Sequence, residues 1–286
     1  MSVSATEINV RPRRVFIYRH TVLTRITHWI NVLCILVLVM SGLQIFNAHP
    51  ALYFGQKSDF DNPALSLRSA TGPDGQPIGV TTIGGASFTT TGFLGLSTGA
   101  DGEPRARGFP SWLTLPSYQD LATGRRWHFF FAWVFVINGL TYLLTGFLNG
   151  HVWRDLLPTD RQLREIGKTI VEHIRLRFGR GEEARRYNVL QKLTYLAVVF
   201  ILLPLLILAG LAMSPGVDAA VPWLVPALGG RQTARSIHFI CASLIVLFVF
   251  VHVVMVLVSG VWNNVRSMVT GRYAVEAGGE ATGEKP

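Results

Sequence analysis

Charged side chains are scarce in this chain. Asp, Glu, Lys and Arg make up 15% of its 286 residues. No Asp or Glu falls inside its four long apolar runs, Trp29–Phe46, Trp127–Leu148, Leu190–Met213 and Ile237–Val258. Proton pumps and ion pathways usually carry carboxylates within the membrane, so their absence argues against both. Cysteine is scarcer still. Cys34 and Cys241 both lie in apolar runs, where the thiol serves as a small hydrophobe, so neither a disulfide nor a redox compartment is implied. The first run does not read as a cleavable secretion signal, because it follows a long arginine-bearing segment and lacks a clear small-residue cleavage site. Tandem repeats are missing, as is any segment with the look of a separate soluble domain.

What is abundant is apolar residue, at 49%. Each run reaches or approaches the ~20 residues a helix needs to cross ~30 Å of hydrocarbon. The expected fold is therefore all-α: an integral membrane four-helix bundle with spans at about 26–46, 127–148, 190–213 and 236–260. A single domain over 1–273 is expected, followed by a flexible tail over 274–286.

The net charge of +9 and pI near 10.1 come from arginines flanking the runs. They orient the chain in the membrane, the lipid being its main partner, and no nucleic acid is implied. Arg11, Arg13, Arg14, Arg19 and Arg25 precede the first run, and the connection 149–188 is rich in Arg. Both termini and that connection are thus expected in the cytoplasm. Within it, 160–177 has the spacing of an amphipathic surface helix.

The connection 47–126 then lies outside. At about eighty residues it is too long for a simple turn. Its stretch GVTTIGGASFTTTGFLGLSTGA (79–100) is dense in Gly and Thr without a convincing period. It is expected to be an ordered cap with short hairpins or a docking surface for an outer partner.

Four of the eight histidines, His28, His128, His238 and His252, sit within or at the mouths of the apolar runs. One such histidine is explained by an interhelical hydrogen bond. Four together have a geometry. His238 and His252 are fourteen residues apart on one run, which is nearly four helical turns and about 21 Å, so both rings take almost the same side. With alternating spans, His28 is level with His252 near the inner surface, and His128 with His238 near the outer.

Two opposed imidazoles at one depth are the ligand set of a b-type haem. Zinc normally asks for four ligands together. Arg25 on the inner side, and Arg125, Arg126 and Arg235 on the outer, are candidates to neutralise haem propionates. Interface snorkelling explains the same arginines. Gly42, Gly139, Gly146, Gly210 and Gly260 would admit a macrocycle or a neighbouring helix.

TRITHWINVLCILVLVMSGLQIF (24–46) resembles the first helix of the bacterial and hydrogenase-type di-haem cytochrome b561 superfamily. GRRWHFFFAWVFVINGLTYLL (124–144), NGHVWRDLLPT (149–159) and YNVLQKLTY (187–195) resemble more narrowly the thiosulfate-reductase-type cytochrome b subunits that accompany periplasmic molybdopterin oxidoreductases. The resemblance covers nearly all of 15–273 and implies a four-helix core in a bacterial inner membrane with two b haems. His28 would pair with His252, and His128 with His238. It also implies quinone exchange at one haem and an electron partner at the other, and the outer connection is larger here than in the hydrogenase members.

The function expected is electron transfer between the quinone pool and an outer redox protein, as the cytochrome b subunit of an oxidoreductase complex. Arg19, His20, Arg25 and the His151–Arg154 cluster are inner-side candidates for quinone. A self-contained quinone-linked oxidoreductase acting on superoxide or another small oxidant stays open, as does a haem-free transporter or scaffold.

Overall fold

The computed structural model describes residues 14–150, 157–159, 162, 164, 166–167 and 189–276. The first ten residues, the His151–Arg154 cluster and nearly all of the expected 160–177 helix lie outside them.

Four helices are long and apolar enough to cross a membrane: α1 (Val22–Asn47), α2 (Leu121–Leu148), α3 (Val189–Ala212) and α6 (Arg231–Val258), with mean hydropathies of 2.2, 1.7, 2.7 and 3.0. They coincide with the expected spans, beginning one to six residues earlier. At most 22% of the residues in their most apolar windows are buried in the protein. The spans leave large apolar side chains exposed, among them Leu36, Trp133, Ile201 and Phe250, the arrangement lipid requires. In α3, Pro204 has no N–H to give back to the preceding turn, and the ladder loosens into a π turn at Val198–Leu202 just before it. Cys34 and Cys241 are buried and free.

The chain forms two compact units. One comprises Met1–Ile26, Gly150–Leu193 and His252–Pro286, the other Thr27–Asn149 and Thr194–Val251.

In the second unit, the connection between α1 and α2 is not helical. Strands β2 (Ala51–Leu52), β3 (Leu65–Thr71), β4 (Pro77–Ile83) and β5 (Ala86–Thr89) form an antiparallel sheet in that order, and β6 (Gly95–Thr98) pairs with β7 (Pro104–Arg107). The all-α expectation is therefore corrected: the spans are helical, but the layer above them is β. The sequence hides this because β4 buries Gly79 and Thr81 rather than apolar residues. A Cβ at Gly79 would stand 2.2 Å from the Leu94 carbonyl oxygen, and Thr81 shares a 2.8 Å hydrogen bond with Thr90. A strand whose inward face is glycine and satisfied threonine shows no hydrophobic alternation.

Phe46, Leu52 and Leu67 form the core joining this layer to the end of α1, with Phe109 and Phe239 packed against it. Asn47 pins Phe109 from both sides, accepting from its N–H at 2.7 Å and donating to its carbonyl at 3.2 Å. Arg107 is 3% exposed and donates to Phe109 O (2.7 Å), Ser117 O (3.1 Å) and Thr114 Oγ1 (2.9 Å). Gly55 O receives the N–H groups of Gln232 and Thr233 at 3.0 and 3.2 Å, capping the start of α6. Gly230 must be glycine there, since its φ is +108° and a Cβ would meet Gly55 at 2.6 Å. The short helices α4 (Pro215–Ala220) and α5 (Leu224–Ala227) link α3 to α6 around Ala212, Leu224, Val225 and Ala234. Their connection's two charges meet each other, Arg231 to Asp218 at 2.7 Å.

In the first unit, β1 (Arg14–Tyr18) pairs antiparallel with β8 (Arg272–Glu276), and α7 (Val261–Thr270) precedes β8. The expected tail boundary at 273/274 thus falls inside a strand, because residues on either side of the four spans close on each other.

Candidate functional site

His128 and His238 each stand seven residues past the first residue of their helix, Leu121 in α2 and Arg231 in α6. Asp120 starts α2 by accepting from Thr123 N at 3.0 Å and Thr123 Oγ1 at 2.7 Å. Those bonds hold its carboxyl below the usual aspartate range. The start of α6 is held by Gly55, as described above.

Equal offsets bring the two imidazoles together. Their ring centroids are 6.2 Å apart and their planes are inclined at 67°. Imidazole–metal bonds of about 2 Å, with the ring radii added, put two coaxial imidazole centroids about 6 Å apart. The observed separation therefore suits one axial ion between them.

The remaining ring nitrogens are committed. His238 Nδ1 lies 2.8 Å from Leu206 O. A carbonyl only accepts, so Nδ1 carries the proton and Nε2 keeps its lone pair. His128 Nδ1 lies 3.1 Å from Ser41 Oγ, whose own hydrogen goes to Val37 O at 2.6 Å. Ser41 thus accepts from His128 and leaves that Nε2 free as well. Acceptors behind both histidines orient the rings and raise their basicity as ligands.

Each ring is backed by an acceptor and a glycine on one helix, Ser41 and Gly42 of α1 for His128, and Leu206 and Gly210 of α3 for His238. A Cβ on Gly42 would meet the His128 ring at 3.4 Å, and one on Gly210 would meet the His238 ring at 3.1 Å. Glycine at these points lets the imidazoles lie against the helix backbone. Gly139 and Gly260 have no such neighbour, with nothing within 4 Å.

Among the described residues no group of three His, Cys, Asp or Glu converges on one point. The donor set is then a pair of neutral imidazoles, which fits a macrocyclic iron and not a four-ligand zinc site.

The other expected residues are placed as follows. His28 is half-buried in α1 and stacks on Trp29 at 5.4 Å. His252 is half-buried in α6. Arg235 donates to His49 O and lies over the Phe46 ring, 5.4 Å from its centroid. Arg125 is exposed and lies 5.4 Å from the Phe129 centroid, and Arg126 is exposed. Arg25 donates to Val269 O and has a buried Nε without a partner among the described residues.

Sequence reasoning missed the acceptors. A backbone carbonyl such as Leu206 has no side-chain signature, while Ser41 was visible only as one hydroxyl in an apolar run. It missed His49 as well, whose Nε2 lies 3.1 Å from Tyr53 Oη. Burial, then the positive charges of Arg235 and Arg68, hold His49 below the ordinary histidine value.

The profile of the family described as prokaryotic cytochrome b561 matches residues 19–271. Among curated proteins, the chain is similar to one of Azospira oryzae named putative protein-methionine-sulfoxide reductase subunit YedZ1. The two are 27% identical over 232 residues, which cover 81% of this chain and 86% of the relative. No solved structure gives a significant match.

Proposed function

We propose, for this chain that belongs to the prokaryotic cytochrome b561 family, transmembrane electron transfer between the quinone pool and a periplasmic redox protein through two bis-histidine b haems. His128 and His238 hold the haem nearer the β layer. His28 and His252 hold the second, nearer the termini, which are cytoplasmic. The observation that carries this reading is the 6.2 Å pairing of His128 with His238, each ring turned by an acceptor at Nδ1 so that Nε2 is available.

A bound haem b supplies one-electron exchange without a proton-bearing side chain at the metal. The chain's own residues do the rest. Leu206 O and Ser41 Oγ fix the imidazoles, Gly42 and Gly210 leave space at their backs, and the apolar spans keep water away. Arg235, Arg125 and Arg126 at one end and Arg25 at the other are offered to propionates.

The partner is a molybdopterin oxidoreductase. The relative's name, a subunit of a sulfoxide reductase, supports this. So does the β layer over 51–107, a surface far larger than a connection between two helices needs.

The test is a reduced-minus-oxidised spectrum of the purified chain with a haem count, repeated on His128→Ala and His28→Ala. Two haems per chain are expected, and each variant should lose one. A chain without a haem α band would overturn the reading, leaving a haem-free membrane protein. Two haems retained in both variants would overturn the pairing.

A further inference from the structure

Beyond the haem sites, the first unit carries an open cleft of about 380 Å³ lined by Phe16, Arg266, Thr270 and Arg272. Its chemistry is one-sided. The Arg266 guanidinium lies over the Phe16 ring, 4.9 Å from the centroid. Its Nη2 donates to Asn263 Oδ1 at 2.6 Å, and its Nε is buried without a hydrogen-bond partner among the described residues. Asn263 is itself fixed, donating to Ala274 O at 2.8 Å and accepting from Ala274 N at 2.9 Å. Thr270 Oγ1 donates to Arg266 O at 2.8 Å and accepts from Arg272 N at 3.2 Å.

Neither guanidinium has a carboxylate within ion-pair distance among the described residues, where the only such pairs are Arg105–Asp101 and Arg231–Asp218. The neighbours add further positive charge. Arg19 lies over Tyr273 at 4.7 Å, and Arg25 donates to Val269 O. The one acid of β8, Glu276, is at its far end, in register with Arg14. A buried guanidinium N–H without an acceptor calls for an anion.

The surroundings select the kind of anion. Helix α7 starts three residues after the last residue of α6, across Gly260 with its φ of +104°. Trp262, Val265 and Val269 lie at helical spacing on one face of it and are 86%, 39% and 58% exposed. An apolar face beginning where a membrane span ends lies among lipid headgroups and upper acyl chains. Free phosphate would satisfy the arginines and leave that face uncovered, whereas a phospholipid does both.

We propose that this cleft binds the phosphate of an anionic phospholipid, received by Arg266 Nε and the Arg272 guanidinium, with the acyl chains along Trp262, Val265 and Val269. The site is independent of haem binding and of electron transfer.

The experiment reconstitutes the full chain in phosphatidylcholine nanodiscs with or without phosphatidylglycerol, then measures lipid retained on release by native mass spectrometry. The wild type should keep phosphatidylglycerol in preference to phosphatidylcholine. R266Q/R272Q should lose that preference by about tenfold or more, two guanidinium charges that face the headgroup having been removed. R272K alone should keep most of it.

Equal retention of the two lipids by the wild type would overturn the proposal without need of any variant. So would unchanged retention in a monodisperse R266Q/R272Q. A separate arm adds inorganic phosphate: displacement of the lipid at phosphate concentrations matching the lipid's would overturn the lipid assignment in favour of a free-anion site.

Discussion

The imidazole of His238 is tied through Nδ1 to the carbonyl oxygen of Leu206 at 2.8 Å, and Gly210, one turn further along α3, leaves the space in which that ring lies. A helix that carries neither histidine of the pair therefore sets the orientation of an imidazole on another.

Substitutions at Gly210 and Gly42 should differ in cost. A Cβ at Gly210 meets the ring at 3.1 Å, tighter than the 3.4 Å at Gly42. Gly210→Ala should lower stability by about 1–3 kcal/mol through overpacking, and Gly42→Ala by less. Gly210→Leu should release the haem nearer the β layer. Haem content and thermal unfolding of the three variants check this ranking.

Ser41→Ala removes the acceptor from His128 Nδ1. Loss of an outer-shell partner commonly weakens metal binding by about 10–100-fold. Haem retention during dilution should fall toward that range, and the potential of one haem should shift while the other stays. A shift of both potentials would contradict the assignment of Ser41 to a single site.

Arg107 is the lock of the β layer. Arg107→Ala strands Phe109 O, Ser117 O and Thr114 Oγ1, at a cost of about 2–4 kcal/mol. Arg107→Lys should rescue little, since one ammonium cannot reproduce the planar fork. Limited proteolysis should cut within 51–120 in both variants before the spans are affected.

Asn138 Nδ2 donates to Thr27 O at 2.9 Å and to Asn31 Oδ1 at 2.8 Å, joining α2 to α1 within the apolar layer. Interhelical hydrogen bonds in membranes average only about 0.6 kcal/mol, reaching about 1.7. Asn138→Leu should therefore lower stability in a denaturant titration by about 1 kcal/mol without abolishing folding. A loss several times larger would assign Asn138 a role beyond this clamp.

The β layer should weaken in acid through His49. Its folded pKa is held below the unfolded value by burial and by Arg235 and Arg68. The unfolded chain then binds a proton that the folded one resists. Stability is full above the ordinary histidine value of about 6.5 and falls as pH drops below it toward the depressed folded value. His49→Gln should flatten that part of the pH profile of unfolding.

Much of the architecture was legible because a membrane is an undemanding reader: about twenty apolar residues span it whatever their order. The four runs, the lone histidines and the flanking arginines stood out by composition alone. The β layer was legible only as an ordered cap with short hairpins; its strand order and register were not, since the buried face of β4 is Gly79 and Thr81 and shows no apolar alternation. The β1–β8 pairing was equally silent, its strands lying about 250 residues apart.

The sequence by itself determined that the chain crosses a membrane four times and that His128 and His238 are available at corresponding depths, because length, hydropathy and helical rise are local properties. Only the tertiary structure decided which nitrogen of each ring is free. That depends on acceptors carried by other helices, Ser41 on α1 and Leu206 on α3, and one of them is a backbone carbonyl that every residue possesses. The chemistry of the site is written in side chains, but its orientation is held by the backbone around them.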